Sequence, residues 1–174
     1  MRRWVHLVRP GGTVLDLACG SGRHVRFLAG LGLAVTGVDR DAAALAPLSN
    51  CAEVIVADIE QGAWPLAQRR FDAIVVTNYL WRPLWPMLRA ALAEGGVLIY
   101  ETFADGQQHV GRPSRPEFLL RHGELLHATQ GLRCVAFEDG FLDHPPRFVQ
   151  RVVAVAPAPH HDGPATAYPL RGPG

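Results

Sequence analysis

The residues best suited to chemistry are acids and glycines that recur at the ends of apolar runs. Asp16 lies inside the apolar run 14–18, which breaks at Cys19-Gly20-Ser21-Gly22 and resumes with Val25, Phe27, Leu28 and Leu31 at helical spacing. A strand, glycine turn and helix of this kind lets a ligand approach the backbone, because Gly20 and Gly22 carry no Cβ and tolerate positive φ. Two further apolar runs also end on acids, 33–39 on Asp39 and 54–58 on Asp58. A fourth run, 71–78, leads into Tyr79 and Arg82. Glu101 follows a fifth, and His109 and Arg112 stand in the loop beyond it. Near strand ends, a histidine or carboxylate can take up a proton and an arginine can hold an anion.

The elements that must position these residues read off the same pattern. Residues 2–8 read as a helix that ends before Pro10. Asp41 is placed to cap a helix over 42–45. Pro83 and Pro86 bracket the opening of a helix over 84–92, which Gly95-Gly96 stops, and 97–100 is a buried strand. Five strands alternating with helices predict a parallel sheet with helices on both faces. The Gly- and Pro-rich stretch 104–116 is a loop long enough to be functional, expected over the strand ends. Short helical pieces at 117–120 and 123–129 precede strands at 132–137 and 148–155, an antiparallel pair around Asp143-His144-Pro145-Pro146. The expected organisation is a single domain over 1–156 and a disordered Pro/Gly-rich tail over 157–174. His160-His161 in that tail reads as solvated and not as a metal site.

Composition removes several classes of function. A chain of 174 residues that is 48% hydrophobic can bury a two- or three-layer core. A net charge of +1 without long basic runs gives no footprint for nucleic acid. No apolar run approaches the roughly 18 residues of a membrane span. The basic start is too short before Pro10 for a signal peptide, so a cytoplasmic location is expected. Three cysteines without ligand spacing argue against a disulfide framework or zinc, and no metal site is expected. Whether the chain forms homo-oligomers is left open.

Spacing separates the glycine-turn ligands. A dinucleotide fingerprint needs a third glycine where Val25 stands, and no Gly-Lys-Ser/Thr follows the turn as a phosphate loop requires. The segment Asp16-Leu17-Ala18-Cys19-Gly20-Ser21-Gly22, with Asp39, Asp58 and Phe71-Asp72-Ala73-Ile74-Val75 in order, resembles the class I S-adenosylmethionine-dependent methyltransferase family. The resemblance covers about residues 12–103. It implies an α/β, Rossmann-like three-layer sandwich with a mostly parallel seven-stranded sheet, its last two strands an antiparallel hairpin. It also implies S-adenosylmethionine as cofactor, held by Asp16, Ala18, Gly20, Gly22, Asp39, Arg40, Asp58, Ile59 and Thr77. Asp16 would serve the cationic end, directly or through water and turn amides. Asp39 would accept both ribose hydroxyls and Asp58 the adenine amino group, with Ile59 beside the ring.

The resemblance places the methyl acceptor beside Asn78 and Tyr79, the catalytic candidates. Arg82, Glu101, His109 and Arg112 are the candidates for substrate binding. The Asn/Asp-Pro-Pro-aromatic motif of amino-methyltransferases is absent from Asn78-Tyr79-Leu80-Trp81. With Glu101-Thr102-Phe103, the stretch is more similar to the tellurite-resistance-type branch acting on small molecules. Three readings follow: transfer to a small-molecule acceptor, transfer to RNA or protein, and a non-catalytic cofactor-binding module. With only about ten residues before the first strand, cover for the site is expected from loop 104–116, a partner subunit or sequence further upstream.

Overall fold

The computed structural model describes residues 1–158 and 166–170. Five strands run parallel: β1 (Thr13–Leu17), β2 (Ala34–Asp39), β3 (Glu53–Val56), β4 (Phe71–Thr77) and β5 (Leu92–Phe103). The hairpin β6 (Arg133–Asp143) and β7 (Pro146–Val155) completes the sheet, with order β3-β2-β1-β4-β5-β7-β6. β7 lies antiparallel to both β5 and β6. This is the seven-stranded, mostly parallel sheet that the sequence predicts.

Alternation along each strand sorts the core into two faces. Val14, Val35, Val75 and Ile99 pack with Val25 and Leu28 of α1 (Arg23–Ala29) and Leu45 of α2 (Ala42–Leu45). Trp4, in the 3-10 helix Arg2–Leu7, is buried on the same face. Leu15, Leu17, Ile74 and Leu98 pack with Leu88 of α3 (Trp85–Ala90) and Leu125 of α4 (Glu124–Ala128). Helices therefore cover both faces, as a parallel sheet requires. Asp41 caps α2 as expected, accepting from the Ala43 and Ala44 amides. Among the described residues no helix is long and apolar enough to cross a membrane.

The N-terminal segment is helical as expected, in the 3-10 form. Two expectations change, at the α3–β5 boundary and in loop 104–116. α3 stops at Ala90 and β5 begins at Leu92, because the Phe71 amide takes the Ala91 carbonyl at 2.8 Å. Gly95-Gly96 then sits inside β5, where the register with β4 jumps from Phe71↔Leu92 to Ala73↔Val97. Loop 104–116 is held on β7 and lines neither cavity described below. Buried Gln107 accepts from the Phe148 amide at 2.9 Å and donates to the Arg112 carbonyl at 3.1 Å. Residues 166–170, within the expected tail, carry no helix or strand and touch the domain. Tyr168 packs against the core cluster under the Arg133 guanidinium, and the Pro169 carbonyl lies 2.9 Å from His6 Nε2. His160 and His161 lie outside the described residues.

The turn after β1 is packed from one side only. Gly22 has φ 76° and is buried, and a Cβ there would lie 2.9 Å from Leu48 Cγ and closer still to its methyl groups. Gly20, at φ 52°, would meet nothing within 4 Å. Gly22→Ala is therefore expected to cost about 2 kcal/mol or more, combining overpacking with left-handed strain. Gly20→Ala should cost only the backbone part, about 1 kcal/mol. Urea denaturation of both variants checks the difference.

Candidate active site

The turn is tied to the end of β2. The Cys19 amide donates to the Val38 carbonyl at 3.1 Å, and the Gly20 amide donates to Asp39 Oδ2 at 2.8 Å. Asp39 Oδ1 accepts the Asp41 amide at 3.0 Å, so each oxygen keeps one further lone pair for a ligand. Beside the turn lies a cavity of about 240 Å³ lined by Ala18, Asp39, Arg40, Asp58, Ile59 and Tyr79. Asp58 Oδ1 accepts the Glu60 and Gln61 amides at 2.9 and 3.2 Å, and among the described residues Oδ2 has no partner. The Tyr79 hydroxyl donates to Glu60 at 3.0 Å, while Tyr100 donates to the Tyr79 carbonyl at 2.8 Å. Burial, then the bond to Glu60, raise the Tyr79 pKa, so its phenol stays protonated and donates.

A larger cavity of about 470 Å³ lies on the other side of Asn78, which lines both. Asn78 holds a left-handed φ of 55° and donates its amide to the Glu101 carbonyl at 2.9 Å. His24, from the first turn of α1, faces this cavity with Thr77, and His24 Nδ1 lies 3.2 Å from Thr77 Oγ1. Burial and the neighbouring Arg23 hold the His24 pKa down to about 4, which leaves the ring neutral near pH 7. Glu101, Arg147 and Arg151 form the hairpin wall, and Trp4 forms part of the N-terminal wall. Cys19 is no nucleophile: burial pushes its thiol up to about 12.

The fold thus gathers Ala18, Asp39, Arg40, Asp58 and Ile59 at one cavity, Thr77 and Glu101 at the other, and Tyr79 and Asn78 at the smaller and at both. Gly22 faces Leu48. Three substrate candidates are not brought in. Arg82 spends its guanidinium on Glu124, at 2.6 and 2.9 Å, and on the Glu117 and Leu119 carbonyls, at 2.8 and 2.9 Å. It staples the segment before α4. His109 and Arg112 are exposed in the loop that Gln107 holds against β7. Sequence reasoning missed His24, Arg147, Arg151 and Trp4. His24 stands two residues after Gly22, where a helix beginning at the turn must aim its first turn at the ligand, and that signal was readable. The hairpin arginines reach the site only through strand pairing.

Whether these residues suit S-adenosylmethionine can be tested on the structure. Asp16 is 1% exposed, and its Oδ2 has no hydrogen-bond partner among the described residues. An orphaned buried carboxylate beside a turn is suited to a cation, and the nearby positive charge of Arg23 acts on it from outside. Open space at Gly20 and free lone pairs on Asp39 and Asp58 suit an amino-acid end, a ribose and an adenine amine. The residues fit.

Comparison with known proteins agrees. The family described as "Methyltransferase domain" matches residues 14–96. TehB from Haemophilus influenzae superposes with a TM-score of 0.72 at 20% identity, over 87% of this chain and 59% of that one. A TehB-like SAM-dependent methyltransferase from Corynebacterium glutamicum gives 0.67 at 20% identity, over 89% and 85%. The N-methyltransferase NodS from Bradyrhizobium japonicum gives 0.69 at 18%, over 90% and 93%. At such identities these structures show the fold. Among curated protein sequences none matches. The matched segment, just under half of the chain, and this sheet order support the class I S-adenosylmethionine-dependent methyltransferase family, which implies S-adenosylmethionine as cofactor.

Burial raises the Asp16 pKa from 3.8 to about 7, the Val25 amide acting in the opposite direction. Its contribution to stability is therefore full below pH 3.8, where folded and unfolded chains are both protonated, and is lost as pH rises to about 7. Asp16→Asn removes this dependence. The stability of the variant relative to the parent should rise by on the order of 2 kcal/mol between pH 5 and pH 8, read from urea denaturation at both pH values.

Proposed function

We propose that the protein transfers a methyl group to a small-molecule acceptor held in the larger cavity. The observation that carries this reading is the shared wall: Asn78 lines both cavities, so a cofactor in the smaller one would meet an acceptor in the larger one there. The 3-10 helix Arg2–Leu7 closes one side of the larger cavity, which favours a compact acceptor over a macromolecule.

Asp39 and Asp58 would hold the nucleoside, and Asp16 with Gly20 the amino-acid end. The bound cofactor supplies an electrophilic methyl group on a sulfonium, so the chain's residues chiefly align the acceptor for in-line displacement. Asn78, pinned by its amide to β5, and Thr77 form the wall against which the acceptor is aligned. Neutral His24, oriented by Thr77, can accept a hydrogen bond from an amine or hydroxyl acceptor and so help to align it. Tyr79 walls the nucleoside cavity and, as a protonated phenol, serves as a donor. A cytoplasmic setting and action on free metabolite-sized acceptors fit this reading.

Isothermal titration tests it first: S-adenosylmethionine should bind the parent chain. Asp39→Ala should weaken binding at least tenfold, about 1.4 kcal/mol, while the thermal melt remains cooperative. Unchanged affinity would remove Asp39 from the nucleoside site. Methyl transfer from labelled cofactor to thiols, amines, carboxylates and RNA then reads the acceptor, and transfer to RNA alone would overturn the small-molecule reading.

A further inference from the structure

The hairpin wall of the larger cavity carries a row of charges set by strand register. Arg151 on β7 pairs across to Glu101 on β5 and Glu138 on β6. Its guanidinium is consumed there: Nε donates to Glu101 Oε2 at 2.7 Å and a terminal nitrogen to Glu138 Oε2 at 2.9 Å. Glu138 Oε1 is taken by Arg3 at 3.0 Å. Arg151 and both carboxylates are thus already committed to one another.

Arg147 stands outside this balance. It lies four residues before Arg151 on the same face of β7, yet its nearest carboxylate contact, to Glu101 Oε1, is 3.6 Å, too long for a hydrogen bond. Its Nε is buried without a partner, and among the described residues none of its donors makes a hydrogen bond. The side chain is 28% exposed and lines the cavity. A partly buried guanidinium whose Nε has no acceptor and whose only ion pair is long can still take a carboxylate, which offers it two parallel hydrogen bonds. Trp4, Ile99 and Val153 supply apolar surface in the same cavity. A volume of about 470 Å³ suits an organic molecule and is far larger than a simple inorganic ion needs.

We propose that Arg147 anchors a negatively charged group of the methyl acceptor, which is a small organic anion with an apolar body. The inference rests on the methyltransferase reading above and names the substrate class for the larger cavity. The apolar body lies along Trp4, Ile99 and Val153, which leaves the reacting atom to the wall formed by Thr77 and Asn78. Arg23 also lines this cavity, at the glycine-turn end where its charge acts on Asp16, whereas Arg147 stands on the hairpin wall.

Calorimetric titration with phenylacetate and its neutral counterpart phenylacetamide tests the proposal without knowledge of the true acceptor. In the presence of saturating S-adenosylhomocysteine, phenylacetate should bind the parent chain at least tenfold more tightly than phenylacetamide. Arg147→Gln should abolish that preference, Arg147→Lys should retain part of it, and Arg69→Gln, on the Glu53 side of the sheet, should leave it unchanged. Glu101 keeps Arg151 in the Arg147 variants, so a cooperative melt is expected. Equal binding of acid and amide, binding of neither, or an acid preference that survives in Arg147→Gln would each overturn the proposal. Displacement of phenylacetate by S-adenosylhomocysteine would overturn it too, by assigning Arg147 to the cofactor. A chain that binds phenylacetate through Arg147 but no S-adenosylhomocysteine would overturn the methyltransferase reading and the acceptor role, leaving an anion site.

Discussion

The structure depends on how the turn after β1 meets the end of β2. β1 is enclosed between β2 and β4, so the chain leaving it must turn immediately, and its amides lose strand partners. The Val38 carbonyl takes the Cys19 amide and the Asp39 carboxylate takes that of Gly20, which closes the turn without a bulky side chain inside it. This constraint places a carboxylate at the rim of a cavity and leaves Gly20 open toward it. It also starts α1 at residue 23, so Arg23 and His24 are delivered in the first turn of a helix facing the strand ends.

Asp16 and Asn78 show a division of labour around that turn. Asp16 shares a face with Val14, beneath α1, and the packing that stabilises the helix strips water from its carboxyl group. A buried carboxyl group that is costly to ionise is thereby left beside the turn. Asn78 takes a left-handed conformation that a non-glycine residue adopts only when its surroundings impose it, and its bond to the Glu101 carbonyl is one such restraint. The restraint puts Asn78 where two cavities meet. At the larger cavity, cross-strand register gives Arg151 hydrogen bonds to two carboxylates and leaves Arg147 only a long ion pair to Glu101, at 3.6 Å.

Much of this was legible along the chain. The inner parallel strands are buried on both faces and therefore read as apolar runs, and each acid at a strand end or turn is conspicuous against them. Asp39 ends β2, Arg40 follows it, and Asp58 and Ile59 come just after β3, so nearness in sequence brings them to the smaller cavity. Arg82, His109 and Arg112 followed the same logic of nearness and do not reach the cavities. An arginine's reach spans several residues, and Arg82 found the Glu124 carboxylate and two carbonyls, while Gln107 drew its loop onto β7.

The sequence by itself determined the sheet, the glycine turn and most of the smaller cavity's lining, because these rest on contacts between neighbouring residues and on the apolar periodicity of buried strands. Only the tertiary structure decided the larger cavity. Glu101, Glu138, Arg147, Arg151 and Trp4 meet through an antiparallel hairpin and a folded-back N-terminal segment, with Trp4 and Arg151 far apart along the chain. Which arginine is satisfied and which is left for a ligand depends on strand register and on distances of an ångström, and these arise only when the chain has packed.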